Sequence, residues 1–184
     1  MLDAGLFCIQ YFKSYQNDIR KKFEVKNKYL LTYNNYIKQF GKKKIAVIQI
    51  RRTDYLFFND PDLLGPDLTL PLSYYNDLIS ELRNKDGYQF IVMGDDKQYL
   101  HDHFEGFSDV AISECDEITD LQILIHADVC VISASSFGWW GAWLNSNSEK
   151  EVYLPEFYLG FKVGKEYPVG IIPEGWNKVK ISSL

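Results

Sequence analysis

Five short apolar runs punctuate this chain: Lys44–Ile50, Tyr88–Met93, Val110–Ile112, Ala127–Ile132 and Glu151–Pro155. Each has strand length, and the longer ones lack polar alternation, the mark of a strand buried on both faces. Helical patterns lie between them. Ser73 is the expected cap of a helix running to about Lys85, closed by Lys85-Asp86-Gly87. Asp95 or Asp96 caps a short helix through Phe104, and Asp116-Glu117-Ile118 opens another with Leu121, Ile123, Leu124 and Ile125. A tryptophan-rich helix follows the fourth run. Leu56 to Leu72 reads as a long loop, and the tail after Pro155 as loop-rich. Strands alternating with helices at this spacing predict an α/β fold with a Rossmann-like, mostly parallel sheet and flanking helices.

Such a sheet puts the carboxyl ends of its strands on one edge, where ligands bind. The polar clusters Arg51-Arg52-Thr53-Asp54, Gly94-Asp95-Asp96, Ser113-Glu114 and Ser133–Ser136 each follow a strand. They are therefore expected to meet in one cleft. The residues before this core look helical, from Gln10 to Phe23 and from Lys28 to Phe40, with Gly41 ending the second helix. The expected division is a helical segment, 1–42, packed on a domain spanning 43–184.

Composition removes several classes of function. At 184 residues and 46% hydrophobic, the chain has enough apolar mass for one full core. A net charge of −5 argues against a nucleic-acid partner. The basic run Lys42-Lys43-Lys44 reads as a solvated strand start that leaves room for weak contact with a membrane surface. Three cysteines, Cys8, Cys115 and Cys130, fit free thiols in a reducing compartment. With no visible signal peptide and no membrane-length apolar run, the expectation is a soluble cytoplasmic protein.

The clusters also limit the chemistry. Ser135 or Ser136 falls where a helix starts, so unpaired backbone N–H groups and the positive dipole end offer a phosphate seat. Gln49 and Arg51 point to one side of their strand and Arg52 to the other. One arginine can grip a diphosphate while the other pairs with a carboxylate, Asp54 being a candidate. One of Asp95 and Asp96 caps a helix; the other is free for a ribose hydroxyl or a base N–H. No metal site is expected: His101 and His103 face different sides of a helix, and His126 reads as a core or cap residue. Trp139, Trp140 and Trp143 read as core rather than as a sugar platform. Ser135 and Ser136 have no histidine base in their sequence context, which argues against a serine hydrolase.

Five stretches carry a family resemblance. Gln49-Ile50-Arg51-Arg52-Thr53-Asp54-Tyr55 resembles the His-x-Arg-Arg-x-Asp-Tyr element of the α-1,2-fucosyltransferases, glycosyltransferase family 11. Val92-Met93-Gly94-Asp95-Asp96 is similar to their apolar-x-Asp-Asp element, and Ile132 to Asn145 to their Ser-x-Phe-x-Trp-Trp-Gly-Ala-Trp-Leu element. Pro173-Glu174-Gly175-Trp176 looks like their closing Pro-x-x-Trp, and Gly5-Leu6-Phe7 with Tyr11-Phe12 resembles an upstream Gly-Tyr-Phe-Gln stretch.

The resemblance implies a two-domain GT-B enzyme, GDP-fucose as donor, a β-galactoside acceptor, inversion at the sugar carbon and no metal. By it, Arg51 contacts the β-phosphate beside Asp54, with Arg52 in the same element. Gln49 and Asp95 or Asp96 lie near the guanosine, and Ser135, Ser136 and Phe137 hold the diphosphate. Two departures stand out. Gln49 replaces the motif histidine, and the family's Gly-Gly-x-Gly-Asn-Gln segment has no counterpart here. The expectation is therefore the donor-binding half of such an enzyme, the alternative being a catalytically silent GDP-sugar-binding fragment. Asp60 or Asp62 is the candidate general base.

Overall fold

The structure, a computed structural model, describes residues 13–23, 25–63, 65–85 and 87–181. One sheet organises it, built from β1 (Lys44–Ile50), β2 (Tyr88–Gly94), β3 (Val110–Ile112), β4 (Val129–Ile132), β5 (Glu151–Pro155) and β6 (Asn177–Val179). The strand order is β3-β2-β1-β4-β5-β6, and every neighbouring pair is parallel. The chain starts in the middle, steps outward to β3, then returns beside β1 and steps outward the other way. That reversal, between β1 and β4, is where a doubly wound sheet opens a crevice at its carboxyl edge. The Rossmann-like expectation holds.

The apolar runs are continuous because helices cover both faces. Ala46, Ile48 and Ile50 of β1 share one core with α3 (Leu72–Arg83) and α4 (Lys97–Phe104). Ile45 and Val47 of the same strand face the opposite core, with α5 (Glu117–Ile125) and α6 (Ser136–Leu144). Two further helices, α1 (Gln16–Lys22) and α2 (Asn27–Lys38), lie over that second core through Ile19, Tyr33, Tyr36 and Ile37. The Arg20 guanidinium of α1 donates to the Trp143 and Asn145 carbonyls at 3.1 and 3.2 Å, satisfying the carboxyl end of α6.

Close packing explains the Trp-Trp-Gly-Ala-Trp sequence. A Cβ added at Gly138 would lie 2.5 Å from Gln49 Oε1, and one at Gly141 would lie 2.6 Å from Leu124. The glycines let α6 press onto β1 and α5. The tryptophans then fill the space around it. Trp139 is fully buried, stacks on Trp143 and donates its indole N–H to the Ile171 carbonyl at 2.8 Å. Trp140, half-buried, stacks on Phe23 of the amino-terminal segment.

Some boundaries differ from expectation. α3 begins at Leu72, with Pro71 in an extended conformation at its N-cap, so Ser73 sits inside the first turn rather than capping it. Proline's fixed φ suits that position, two residues before the expected cap. The loop from 56 to 72 contains 3-10 turns at Tyr55–Phe57 and Pro61–Leu63, and buries Leu63, Leu68 and Leu70 in the first core. The tail supplies β6, three residues too short and too polar to show a period. Cys8, Tyr11, Phe12, Asp86 and the Gly5–Phe7 stretch lie outside the described residues. Among the described residues, no helix is long and apolar enough to cross a membrane.

Gly141→Ala is expected to force Leu124 out of place and destabilise the protein by about 1–3 kcal/mol, the usual cost of overpacking. Urea denaturation of the variant beside the parent checks this.

Candidate functional site

The loops after β1 and β4 are fastened together. Ser133 Oγ accepts the Arg51 amide at 2.8 Å and donates to the Gln49 carbonyl at 3.0 Å. The Tyr75 hydroxyl lies 2.7 Å from the same oxygen. Gln49, only 3% exposed, turns its side-chain oxygen to the Ser133 amide at 3.2 Å and the Ser135 hydroxyl at 3.3 Å. Ser135 is the N-cap of α6: its oxygen accepts the Gly138 amide at 3.2 Å. Tyr55 and Tyr74 reach across to donate to the Ala134 and Ile132 carbonyls, at 2.7 and 3.0 Å. The hydroxyl-rich turn is thus held from several sides.

One expected role changes here. Ser135 is buried and its hydroxyl is committed, so it shapes the helix start instead of presenting its side chain to a ligand. Ser136 is exposed and Phe137 lines the cleft. With Gly138 capped, the amides of Ser136 and Phe137 have no partner among the described residues. They are the orphan donors of the first helical turn. Gln49 lies beneath this turn, which explains why an amide at that position serves structure.

Both arginines pair with carboxylates. Asp95 is the hub: it accepts the Arg52 amide at 2.9 Å and the Thr53 amide and hydroxyl at 3.2 and 2.5 Å. It also holds Arg51 Nη1 at 3.2 Å, while Asp54 holds Arg51 Nε at 2.8 Å. The hydrogen bond from Asp54 raises the Arg51 pKa further above its ordinary value, against the effect of burial. Arg52 pairs with Asp96 at 3.2 Å and lies over the Tyr99 ring at 4.1 Å. Asp96 caps α4 by accepting the Tyr99 amide at 3.1 Å. The cause is register. Ile50 sits beside Gly94, so the basic loop after β1 emerges against the acidic loop after β2. Asp95 is thus engaged by the β1 loop, and Asp96 is shared between Arg52 and the start of α4.

Arg51 still has capacity. These two pairings use two of the five N–H donors a guanidinium carries, and they lock its plane. The group opens onto a cleft of about 340 Å³, lined also by Gln49, Asp95, Lys97, Asp120 and Phe137. Asp120 and Lys97 were not singled out in the sequence. The signal available was an acid placed directly before the largely apolar run Leu121–Ile125. Asp120 is 7% exposed and accepts a hydrogen bond from the Ser113 hydroxyl, while Lys97 donates to the Ser113 carbonyl. Burial pushes the Asp120 acid up to about 6.

The remaining candidates lie elsewhere. Asp60 accepts the Asp62 amide at 2.9 Å in a local turn, and neither residue lines the cleft. His101 pairs with Glu114 at 2.9 Å, and His126 follows α5, stacked on Tyr33. Among the described residues, no group of three or more histidine, cysteine or acidic side chains could hold a metal ion.

Comparison with known proteins bears on the family. The family described as Glycosyl transferase family 11 matches residues 5–160. The O-antigen biosynthesis glycosyltransferase WbnK of Escherichia coli is 30% identical over 113 residues, 59% of this chain and 37% of WbnK. An alpha-1,2-colitosyltransferase of Escherichia coli is 31% identical over 105 residues, 54% of this chain and 36% of the relative. The matched stretch thus spans little more than a third of these relatives' length. A solved structure of NodZ alpha-1,6-fucosyltransferase soaked with GDP-fucose aligns with a TM-score of 0.45 and 11% identity, over 69% of this chain and 47% of that one.

Asp120→Asn is expected to change how stability depends on pH. Because the folded-state pKa is raised, the parent loses stability as pH rises from about 4 through about 6, where the carboxyl ionises. The asparagine variant keeps it. By about pH 8 the variant should be the more stable by on the order of 2–3 kcal/mol, and below pH 4 the two should converge. Denaturant titrations across that range check both limbs.

Proposed function

This chain belongs to glycosyltransferase family 11, and on that premise we propose that it binds GDP-fucose and transfers the fucose to a galactoside. The linkage would be α-1,2, formed with inversion at the sugar carbon. One observation carries the reading. The Arg51 guanidinium and the amino end of α6 belong to loops tied together at the β1–β4 reversal, and both face one cleft.

The ligand's orientation follows from the sheet. The diphosphate sits at the Ser136 and Phe137 amides with Arg51 across from them. From β4 the sheet runs through β1 and β2 to β3, and neighbouring strands lie about 4.8 Å apart. Three such steps cover roughly 14 Å, the reach of an extended nucleoside diphosphate. The base therefore comes to Asp120. Guanine offers adjacent N–H donors on one edge, and an ionised carboxylate accepts two in parallel. This assignment moves base recognition from Asp95 and Asp96, which the arginines occupy, to Asp120.

Transfer breaks the bond between fucose and the β-phosphate, and negative charge grows on the departing GDP. Arg51, fixed in plane by Asp54 and Asp95, and the unpaired amides of α6 are aimed at that charge before it forms. No metal is assigned a part in this reading. Asp54 serves as a positioning residue through its ion pair.

Calorimetry with GDP and GDP-fucose tests the donor site. The parent should bind both, and Arg51→Ala should weaken GDP by about tenfold or more, the worth of a charge-assisted contact of roughly 1.4 kcal/mol. No binding by the parent, or unchanged affinity in the variant, rejects the reading. Fucose transfer to lactose then distinguishes a transferase from a protein that only binds the donor.

A further inference from the structure

Behind Asp120 lies a second layer, supplied by the amino-terminal helices. Tyr36 of α2 packs edge-on against Phe40 at 5.4 Å, and its hydroxyl is sealed from solvent. That hydroxyl makes no well-formed hydrogen bond among the described residues, and Ser113 is within reach of it. It lies near Ser113, Cys115, Glu114 and Asp120. A buried hydroxyl without a well-formed hydrogen bond costs stability, and phenylalanine would fill the same space without that cost.

Ser113 defines what the hydroxyl can do. The serine is fully buried, and its single proton goes to Asp120. Its oxygen accepts the Cys115 amide at 3.3 Å, which leaves one lone pair open. Toward Ser113, Tyr36 can therefore act only as a donor. The three groups then line up in one sense: Tyr36 O–H to Ser113, Ser113 O–H to the Asp120 carboxylate. Hydrogen bonds donated toward a carboxylate favour its ionised form, and a chain of them polarises cooperatively.

We propose that Tyr36 is a positioning residue for nucleobase recognition: its hydroxyl, set to donate to Ser113, keeps the Asp120 carboxylate aimed at the base. This rests on the assignment of Asp120 to the guanine edge. The other charged groups around Asp120 are Lys97 of α4, which favours ionisation, and Asp116 and Glu117 beside it in the chain, which oppose it. Cys115 and Glu114 flank Tyr36. A donor from α2 adds to the hydrogen bonding that fixes the carboxylate. It also couples the docking of α2 on the sheet to ligand binding.

Tyr36→Phe, Asp120→Asn and the double variant test this, with GDP and ADP titrated by calorimetry at pH 8 and thermal unfolding followed in parallel. Tyr36→Phe should lose about three- to tenfold in GDP affinity, the effect of one hydrogen bond near a charge, with ADP binding unchanged. Its unfolding midpoint should hold or rise. In the Asp120→Asn background the substitution should have no further effect on GDP. The proposal is overturned by an unchanged GDP-to-ADP ratio, by equal losses for both nucleotides, or by additive losses in the double variant. A parent that fails to bind GDP overturns the donor reading as well. A parent that binds GDP while Tyr36→Phe behaves identically removes only the role of Tyr36.

Discussion

The hydrogen bond from the Arg51 amide to Ser133 Oγ joins the two loops on which the cleft depends. It extends the pairing of β1 with β4 just past the last strand residues. Ser133 can do this because it is buried, with its proton spent on Gln49 and its lone pairs turned to Arg51 and Tyr75. A serine left half-paired here would be costly in a site this dry. The network is full, so the turn has one geometry, and the start of α6 is fixed relative to Arg51.

Electrostatic order follows from that fixed backbone. Asp54 and Asp95 take opposite ends of the Arg51 guanidinium, at 2.8 and 3.2 Å. Such pairing could be read as purely structural, since paired arginines often are. The rest of the fork still opens on the cleft, beside the unpaired amides of α6. A guanidinium held in plane spends less entropy in gripping a phosphate than a free one does. Arg52 is different: between Asp96 and the Tyr99 ring, it fastens the β1 loop to α4.

Much of this was legible in the sequence, and the limits have physical causes. The unbroken apolar runs gave away the parallel sheet, because burial on both faces erases alternation. The hydroxyls at 133–136 marked the helix start, though only geometry shows that Ser135 caps while Ser136 stays exposed. The pairing of both arginines with both aspartates was hidden, because it arises from the register of β1 against β2, whose partners such as Ile50 and Gly94 are far apart in the chain. Asp120 was overlooked for a related reason. In a linear reading it is one acid beside an apolar helix face; only folding turns it inward beneath Ser113. The strand β6 left no trace, since three edge residues carry no period.

The central claim is that Arg51 and the first turn of α6 seat one diphosphate between them. A crystal structure of the chain with GDP tests it most directly. The account predicts β-phosphate oxygens within about 2.7–3.2 Å of an Arg51 Nη atom and of the Ser136 or Phe137 amide. GDP bound with its phosphates away from the β1–β4 edge, or touching neither group, would contradict it.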